Sequence, residues 1–306
     1  MKILLATDGS GPAKEATRLV RSMAKNNSVD VHVLTVSYDP AQYATQPWVP
    51  EWVEQEKQVS HQILDQAQTI LEDDCESVTL VHQAGPTVPC ILEQAEAADV
   101  DLIVLAAKGR SALRRVLLGS VSDSVATSAK CSVLVVRANE GAELEPCKIV
   151  LGFDQSVASR EAVAELMEWN FHRDCAVDLV SVAVQAFSFV GEGYEGPPLT
   201  LNPQRVEQIQ QSADRMASQI AEHFPHTKVH SPVSSHVGDS IVSIAESTKA
   251  NMVVVGDSGH SQIGQFLLGS TSKYVLRHAP CHVWISRHHW NADPIMGQRE
   301  KAAVGK

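Results

Sequence analysis

The sequence predicts an α/β fold built as two repeats of a five-stranded, doubly wound parallel sheet. Three observations support this prediction. The chain repeats itself at a nearly constant offset, short apolar runs alternate with helical patterns, and several of those runs are apolar at nearly every position. A strand that is apolar throughout needs cover on both faces, which a parallel sheet receives from the helices that connect its strands.

The repeat is visible in three pairs of segments that occur in the same order in each half. One pair begins with an apolar run, an Asp and a Ser, another matches without a gap at an offset of 150 residues, and the last closes each half with an apolar strand. The matched segments are 2–16 with 148–162, 101–125 with 251–275, and 131–137 with 281–287.

Duplication of this kind predicts two domains, and 306 residues suit two domains of ~150 residues. We expect them to span residues 1–140 and 145–287, with the acidic linker ANEGAELEP between them and a polar tail over 288–306. Residues 1–137 and 147–287 should superpose as the same fold.

The periodicity of apolar residues gives the elements in order. Strands are predicted near 2–7, 30–37, 77–84, 101–106 and 131–137, and then near 148–153, 176–184, 228–236, 251–256 and 281–287. Helices are predicted near 11–25, 51–72, 87–98 and 119–129, and then near 157–170, 203–223, 239–249 and 269–278.

Composition narrows the classes of function. A formal net charge of −11 argues against general nucleic-acid binding and against an anionic membrane surface. No stretch approaches the ~20 apolar residues of a membrane span. The six cysteines are scattered without a Cys-x-x-Cys spacing, which is typical of reduced thiols and favours a cytoplasmic protein. The thirteen histidines show no spacing that indicates a metal site.

The strongest candidate site follows the fourth strand of the second half. Gly256-Asp257-Ser258-Gly259 is followed by nine residues and then by Gly269-Ser270, which opens a helix. In an open parallel sheet, ligands bind beyond the carboxyl ends of the strands. Glycines allow a close backbone approach, and a helix N-terminus with a serine hydroxyl favours an anion. This arrangement predicts a phosphate site.

The pattern G-x-x-G, nine residues, then G-S resembles the ATP-binding loop of the universal stress protein family. The resemblance covers nearly all of residues 1–287. It implies a Rossmann-like fold of the adenine nucleotide alpha hydrolase-like type, with ATP or another adenine nucleotide as ligand and Mg²⁺ as a candidate companion ion. It also implies that the closing strands pair across a two-fold axis, here within one chain as a pseudo-dimer.

The resemblance assigns residues in both halves. The early Asp contacts the adenine, which implies Asp8 and Asp154, and an apolar residue ending the second strand lines the base pocket, which implies Val36 and Val182. The remaining residues would hold ribose and phosphates: Gly109, Gly119 and Ser120 in the first half, and Gly256, Gly259, Gly269 and Ser270 in the second.

The two loops differ. The first has Ala106 where the second has Gly256, and the added methyl group could press on a nucleotide or oppose the required backbone angles. Charge points the other way, because the second loop contains Asp257, which would repel phosphate if it faced inward. The first loop contains basic residues that suit a polyphosphate: Lys108, Arg110, Arg114 and Arg115. We weigh backbone fit above charge and predict that the second half holds the better site.

Several residues allow a plainer interpretation. Asp8 and Asp154 could be helix N-caps or turn residues, a role that can coexist with ligand binding. The glycines could simply form turns, and the basic residues of the first loop could be an exposed cluster. The segments 38–52 and 187–198 are aromatic with Pro or Gly, and could bind a partner or pack over their own domains.

These observations favour an adenine-nucleotide-binding stress-response regulatory protein over an enzyme, because no base, nucleophile or metal set stands out. Gly256-Asp257-Ser258-Gly259 also resembles the nucleophile segment of trypsin-like proteases, but those need an all-β double barrel. Two alternatives stay open: a slow ATPase or phosphotransferase, and a nucleotide-free protein-interaction module. A protein partner would be unknown, and a homodimer of the whole chain is a further expectation.

Overall fold

The computed structural model describes residues 1–38, 50–108, 118–137, 147–172, 174–189, 195–198, 201–258 and 268–287, with the backbone alone at 50, 187–189 and 195–198. No helix within these ranges is both long enough and apolar enough to cross a bilayer.

The first half forms a five-stranded parallel sheet in the order β3-β2-β1-β4-β5. Its elements are β1 (Lys2–Ala6), α1 (Gly11–Ala24), β2 (Asp30–Ser37), α2 (Pro50–Leu71), β3 (Ser77–Ala84), α3 (Thr87–Ala98), β4 (Leu102–Ala106), α4 (Ser120–Ser128) and β5 (Ser132–Val136).

The second half repeats this order, with β11-β7-β6-β13-β14 all parallel. Its elements are β6 (Lys148–Gly152), α5 (Val157–Glu168), β7 (Ala176–Val180), β8 (Ala183–Val184), β9 (Phe187–Phe189), β10 (Glu195–Pro198), α6 (Pro203–Ala221), β11 (His226–His230), β12 (Val233–Ser234), α7 (Val237–Thr248), β13 (Met252–Gly256), α8 (Ser270–His278) and β14 (His282–Ser286). The predicted fold class and the repeat are confirmed.

The two sheets join edge to edge through their closing strands. β5 and β14 pair antiparallel, with Leu134 opposite Trp284, so the halves form one ten-stranded sheet. Trp284 is fully buried and meets Trp169 edge to face, with ring centroids 5.6 Å apart. The predicted pairing of the closing strands within one chain is confirmed, and it removes two apolar strand edges from solvent.

An arginine after each closing strand reaches into the opposite half. The Arg137 guanidinium donates to the Leu276 carbonyl at 2.7 Å, and the Arg287 guanidinium donates to the Ala126 carbonyl at 2.7 Å. Both carbonyls lie near the C-terminal end of a helix, where a cation is favoured. We call this pair of contacts the arginine clasp.

The seam between the halves also buries a histidine. Nδ1 of His282 accepts a hydrogen bond from the Arg137 backbone N–H at 3.1 Å, whereas the Ser132 hydroxyl takes that place for the Arg287 N–H at 2.9 Å. Burial, reinforced by the charge of Arg137, lowers the pKa of His282 to about 4. This histidine is therefore neutral at physiological pH.

Two strands of the second half are shorter than predicted. The runs near 176–184 and 228–236 each break, into β7 with β8 and into β11 with β12, and the two short pieces pair as a separate sheet. The register places Pro232 where an N–H would donate to the Ser181 carbonyl. Proline has no such N–H, so the ladder is interrupted there. Residues 187–189 and 195–198, predicted as part of a loop, form the antiparallel pair β9 and β10.

Candidate functional site

A cavity of about 610 Å³ opens at the carboxyl ends of β6, β7 and β13. In the sheet, β6 lies between the other two: the chain runs from β6 to β7 and β11 on one side, and then crosses back to β13 and β14 on the other side. This is the point where strand order reverses, the usual ligand position in a doubly wound sheet. The volume falls within the roughly 300–1,000 Å³ typical of small-molecule pockets.

Five of the residues predicted for the second-half site line this one cavity. Asp154 follows β6, Val182 follows β7, Gly256 ends β13, and Gly269 and Ser270 begin α8. Residues more than 100 positions apart in the sequence therefore converge in the predicted way. Gly259 and, in the first half, Gly109 lie outside the described residues.

The Asp154 side chain stabilises the turn that precedes α5. One of its carboxylate oxygens accepts the Ser156 N–H at 3.0 Å, and the Ser156 hydroxyl in turn caps the helix by accepting the Ser159 N–H at 3.2 Å. The N-cap is thus Ser156 rather than Asp154. In the first half Asp8 accepts the Ser10 N–H at 3.0 Å in the same way. The turn interpretation holds for both aspartates, and Asp154 also lines the cavity.

The residue after each aspartate has a left-handed backbone. In the first half it is Gly9, with φ 73°, and in the second it is Gln155, with φ 68°. A side chain at such a φ costs of order 1 kcal/mol, whereas glycine adopts it freely. The second half therefore carries backbone strain at a cavity residue that the first half avoids.

Packing gives the reason for a glycine at position 256. A Cβ there would lie 2.8 Å from the backbone carbon of Ala158 in the first turn of α5. Its φ is not in the left-handed region, so the expected constraint on backbone angles does not apply. Gly256 lets α5, and with it the Asp154 turn, sit tightly against β13.

Asp257 faces away from the cavity. Its carboxylate lies 3.6 Å from Nε of Arg287, and both side chains are buried. Neighbouring Gly256 and Ser258 line the cavity, whereas Asp257 is not among its lining residues. Asp257 is therefore not placed to repel a phosphate in the cavity. Its ion pair with Arg287 connects the end of β13 to the arginine clasp.

The N-terminus of α8 forms one end of the cavity. The Gly269 N–H donates to the Asp257 carbonyl at 2.7 Å, which holds the helix start against the end of β13. The Ser272 hydroxyl donates to the Gly256 carbonyl at 2.6 Å and is used structurally. Ser270 and Thr271 line the cavity at the start of α8. The first turn of α8 contains no acidic residue. This end favours an anion.

The first half has the same backbone arrangement at the start of α4, but the charge in the first turn of this helix is different. The Gly119 N–H donates to the Ala107 carbonyl at 2.7 Å, and Ser120 begins α4. The first turn of α4 contains Asp123, which pairs with Arg277 of the other half at 3.1 Å. A carboxylate there opposes an anion. Val36 is the penultimate residue of β2, which ends at Ser37. Lys108 is described, whereas Arg110, Arg114 and Arg115 lie outside the described residues.

The residues that α6 contributes to the cavity were missed. Arg205, Val206, Gln208 and Ile209 line it, and α6 packs against β7 and β11. A signal was present, since P-E-W-V-E-Q begins α2 and P-Q-R-V-E-Q begins α6. Phe153, Gln155 and Thr271 also line the cavity and were not predicted. Within the described ranges, no three His, Cys, Asp or Glu side chains are grouped so as to hold a metal.

Comparison with known proteins identifies the family. The model of the universal stress protein family matches residues 1–137 and again 147–287. A universal stress protein of Mycobacterium tuberculosis is 29% identical over 293 residues, covering 93% of this chain and 96% of the relative. One of Methanocaldococcus jannaschii is 31% identical over 139 residues, covering 44% of this chain and 81% of the relative.

A solved structure shows the same fold over almost the full length. The universal stress protein from Archaeoglobus fulgidus aligns with a TM-score of 0.69 at 18% identity, covering 94% of this chain and 98% of that one. The family model accounts for both halves, and the mycobacterial relative matches them together. The chain therefore belongs to the universal stress protein family and carries two of its domains in tandem.

Proposed function

We propose that the second half, residues 145–287, binds an adenine nucleotide such as ATP in the 610 Å³ cavity, and that the protein acts as a nucleotide-dependent stress-response regulator. The observation that carries the proposal is the convergence of Asp154, Val182, Gly256, Gly269 and Ser270 on one cavity at the strand-order switch point. The first half, residues 1–140, keeps a degenerate loop in this proposal.

The two ends of the cavity suit the two ends of a nucleotide. At the β7 side, Val182 and Ala183 offer apolar surface, and Asp154 offers a carboxylate that can accept from an exocyclic amino group. At the α8 side, first-turn amides with the Ser270 and Thr271 hydroxyls suit phosphate oxygens. Asp154 is the only carboxylate among the described lining residues, so Mg²⁺ would be held mainly by phosphates and water.

The first test asks whether a nucleotide is bound and where. Pure protein is denatured and its supernatant chromatographed for nucleotide, and stoichiometry is measured by calorimetry with ATP, ADP, AMP and a cyclic nucleotide. We expect one site for each chain. A protein that carries and binds none would favour the interaction-module alternative, and two equal sites would contradict the ranking of the halves.

Matched substitutions then locate the site. Asp154→Asn keeps an acceptor for the Ser156 N–H but changes the group offered to the base, and should weaken binding by about 1.5 kcal/mol. Asp8→Asn makes the same change in the first half and should leave affinity unaltered. Turnover of labelled ATP, with and without Mg²⁺, tests the slow ATPase alternative.

The six cysteines lie among the described residues and are all free thiols. Burial raises the pKa of Cys131 and of Cys281 to about 12. Unreactive thiols of this kind suit a reducing compartment, which supports a cytoplasmic location as part of the proposal.

A further inference from the structure

Arg205 stands out because a helix N-terminus is an unfavourable place for a cation. It is the third residue of α6, and the first turn of this helix contains no acidic residue. Within the described part of the chain, the Arg205 side chain makes no hydrogen bond or ion pair, and only its backbone N–H donates, to the Asn202 carbonyl at 3.0 Å. A positive charge in a first turn opposes the helix dipole. The local structure gives no reason for an arginine here.

The position of Arg205 relative to the cavity supplies a reason. It lines the cavity together with Gln208 and Ile209, which lie one turn further along the same helix face. It is also the only cation among the described lining residues. The cavity lining also includes three apolar residues that follow β7, namely Val182, Ala183 and Val184.

α6, which carries Arg205, packs against β7 and β11, on the opposite side of β6 from β13 and the start of α8. The strand order is β7-β6-β13, and adjacent strands lie about 4.8 Å apart, so β7 and β13 are separated by about 10 Å. The start of α8 packs at the end of β13 through Ser272 and Gly256. Arg205 therefore borders the apolar end of the cavity rather than the anion end.

The first half has a tryptophan at the same helical position. Trp52 is the third residue of α2, as Arg205 is of α6, and its side chain is 41% exposed. A tryptophan shares no charge with an arginine, but both present a flat, polarisable surface. A planar guanidinium stacks on aromatic rings, and an indole does the same.

We propose that Arg205 stacks its guanidinium on the face of the nucleotide base and thereby favours purines over pyrimidines. This inference rests on the proposed nucleotide site and adds a residue that selects the base. Stacking on the base contributes the same binding free energy to adenosine, AMP and ATP, because the three ligands share that base. Its energy grows with ring area, so a purine gains more than a pyrimidine.

Three substitutions separate stacking from ion pairing. Arg205→Ala should weaken adenosine, AMP and ATP by the same factor, roughly tenfold. Arg205→Lys keeps the charge but loses the plane, and should behave like the alanine variant. Arg205→Trp loses the charge but keeps the plane, and should retain binding to within about twofold. Preference for adenosine over cytidine should fall in the first two variants and persist in the third.

Arg215→Ala is the control, because Arg215 lies on the same helix, is exposed and does not line the cavity. Thermal unfolding of each variant checks that the fold is kept. If lysine rescues binding and tryptophan does not, with the loss confined to AMP and ATP, Arg205 contacts phosphate and the inference is wrong. Unchanged affinity in all three variants also overturns it while leaving the nucleotide site intact. A wild-type protein that binds none of the ligands overturns the site and the inference together.

Discussion

The two halves share one strand order and one set of turns, yet the second half has accumulated energetically costly features. In the second half, a residue with a side chain has a left-handed backbone, two charged side chains form a buried ion pair, and a buried histidine is held in its neutral form. The paired positions, first half before second, are Gly9 and Gln155, Ala106 and Gly256, Ala107 and Asp257, and Ser132 and His282.

The locations of these differences are informative. Strain and buried charge persist where surrounding structure over-determines them, and they gather at functional sites. Gln155 lines the cavity, Gly256 sets the distance between α5 and β13, and Asp257 connects the cavity loop to Arg287. The duplication preserved the scaffold, and the second half departed from the unstrained pattern. Substitutions that make one half resemble the other test whether these differences matter for stability and binding.

The largest effect is expected at the buried ion pair. Arg287→Met leaves the Asp257 carboxylate buried beside an apolar side chain and should lower the free energy of unfolding by about 3 kcal/mol. Adding Asp257→Ala, which copies Ala107 of the first half, should restore most of that loss. Urea unfolding of the two single variants and the double variant measures the coupling. A double variant less stable than Arg287→Met would contradict it.

The next effect is a loss of stability in acid. The pKa of His282 is about 4 when folded, against 6.5 for an ordinary histidine, because burial and Arg137 disfavour its charge. The unfolded chain therefore binds a proton first as pH falls. Stability contributed by neutral His282 is complete above pH 6.5 and declines down to pH 4, by roughly 3 kcal/mol.

His282→Ser copies Ser132 and offers Arg137 N–H an oxygen in place of Nδ1. It should flatten the stability profile between pH 6.5 and 4, measured as unfolding free energy at several pH values. An unchanged slope would assign the acid sensitivity to other groups.

A smaller loss is expected on adding a methyl group at position 256. Gly256→Ala places its Cβ against the Ala158 backbone, and overpacking of this kind costs about 1–3 kcal/mol. Ala106→Gly is the reverse change in the first half. It should cost about 0.5–1 kcal/mol through backbone entropy and, if it changes nucleotide binding at all, should create or strengthen a site in the first half. A gain of ATP stoichiometry in Ala106→Gly would show that its methyl group had blocked the first site.

The smallest effect should be stabilising. Gln155→Gly relieves the left-handed backbone at φ 68° and should raise the free energy of unfolding by about 0.5–1 kcal/mol. Gly9→Gln introduces the same strain in the first half and should lower it by a similar amount. If Gln155→Gly also weakens ATP binding, its side chain contacts the ligand.

The sequence was sufficient for the repeat and the doubly wound parallel fold, because these follow from matched segments and from the periodicity of apolar residues. The glycine loop was found from its spacing, whereas Asp154, Val182 and the two-fold pairing of the closing strands came from the resemblance to the family.

The sequence was insufficient where a contact joins distant elements. The clash that requires Gly256 involves Ala158, and the side chain that turns Asp257 away is Arg287. Arg205 was missed because the pattern that the start of α6 shares with α2 does not by itself show that this part of the helix lines the cavity.

The pairing of β5 with β14 has a consequence for assembly. The strands belong to one polypeptide, joined through the nine residues 138–146, so each meets the other at an effective concentration in the millimolar range. Dilution cannot separate them, and a free single-domain relative would have to compete against that local concentration. Any dimer of the whole chain must therefore use a different surface, and mixed pairs with single-domain stress proteins should be strongly disfavoured.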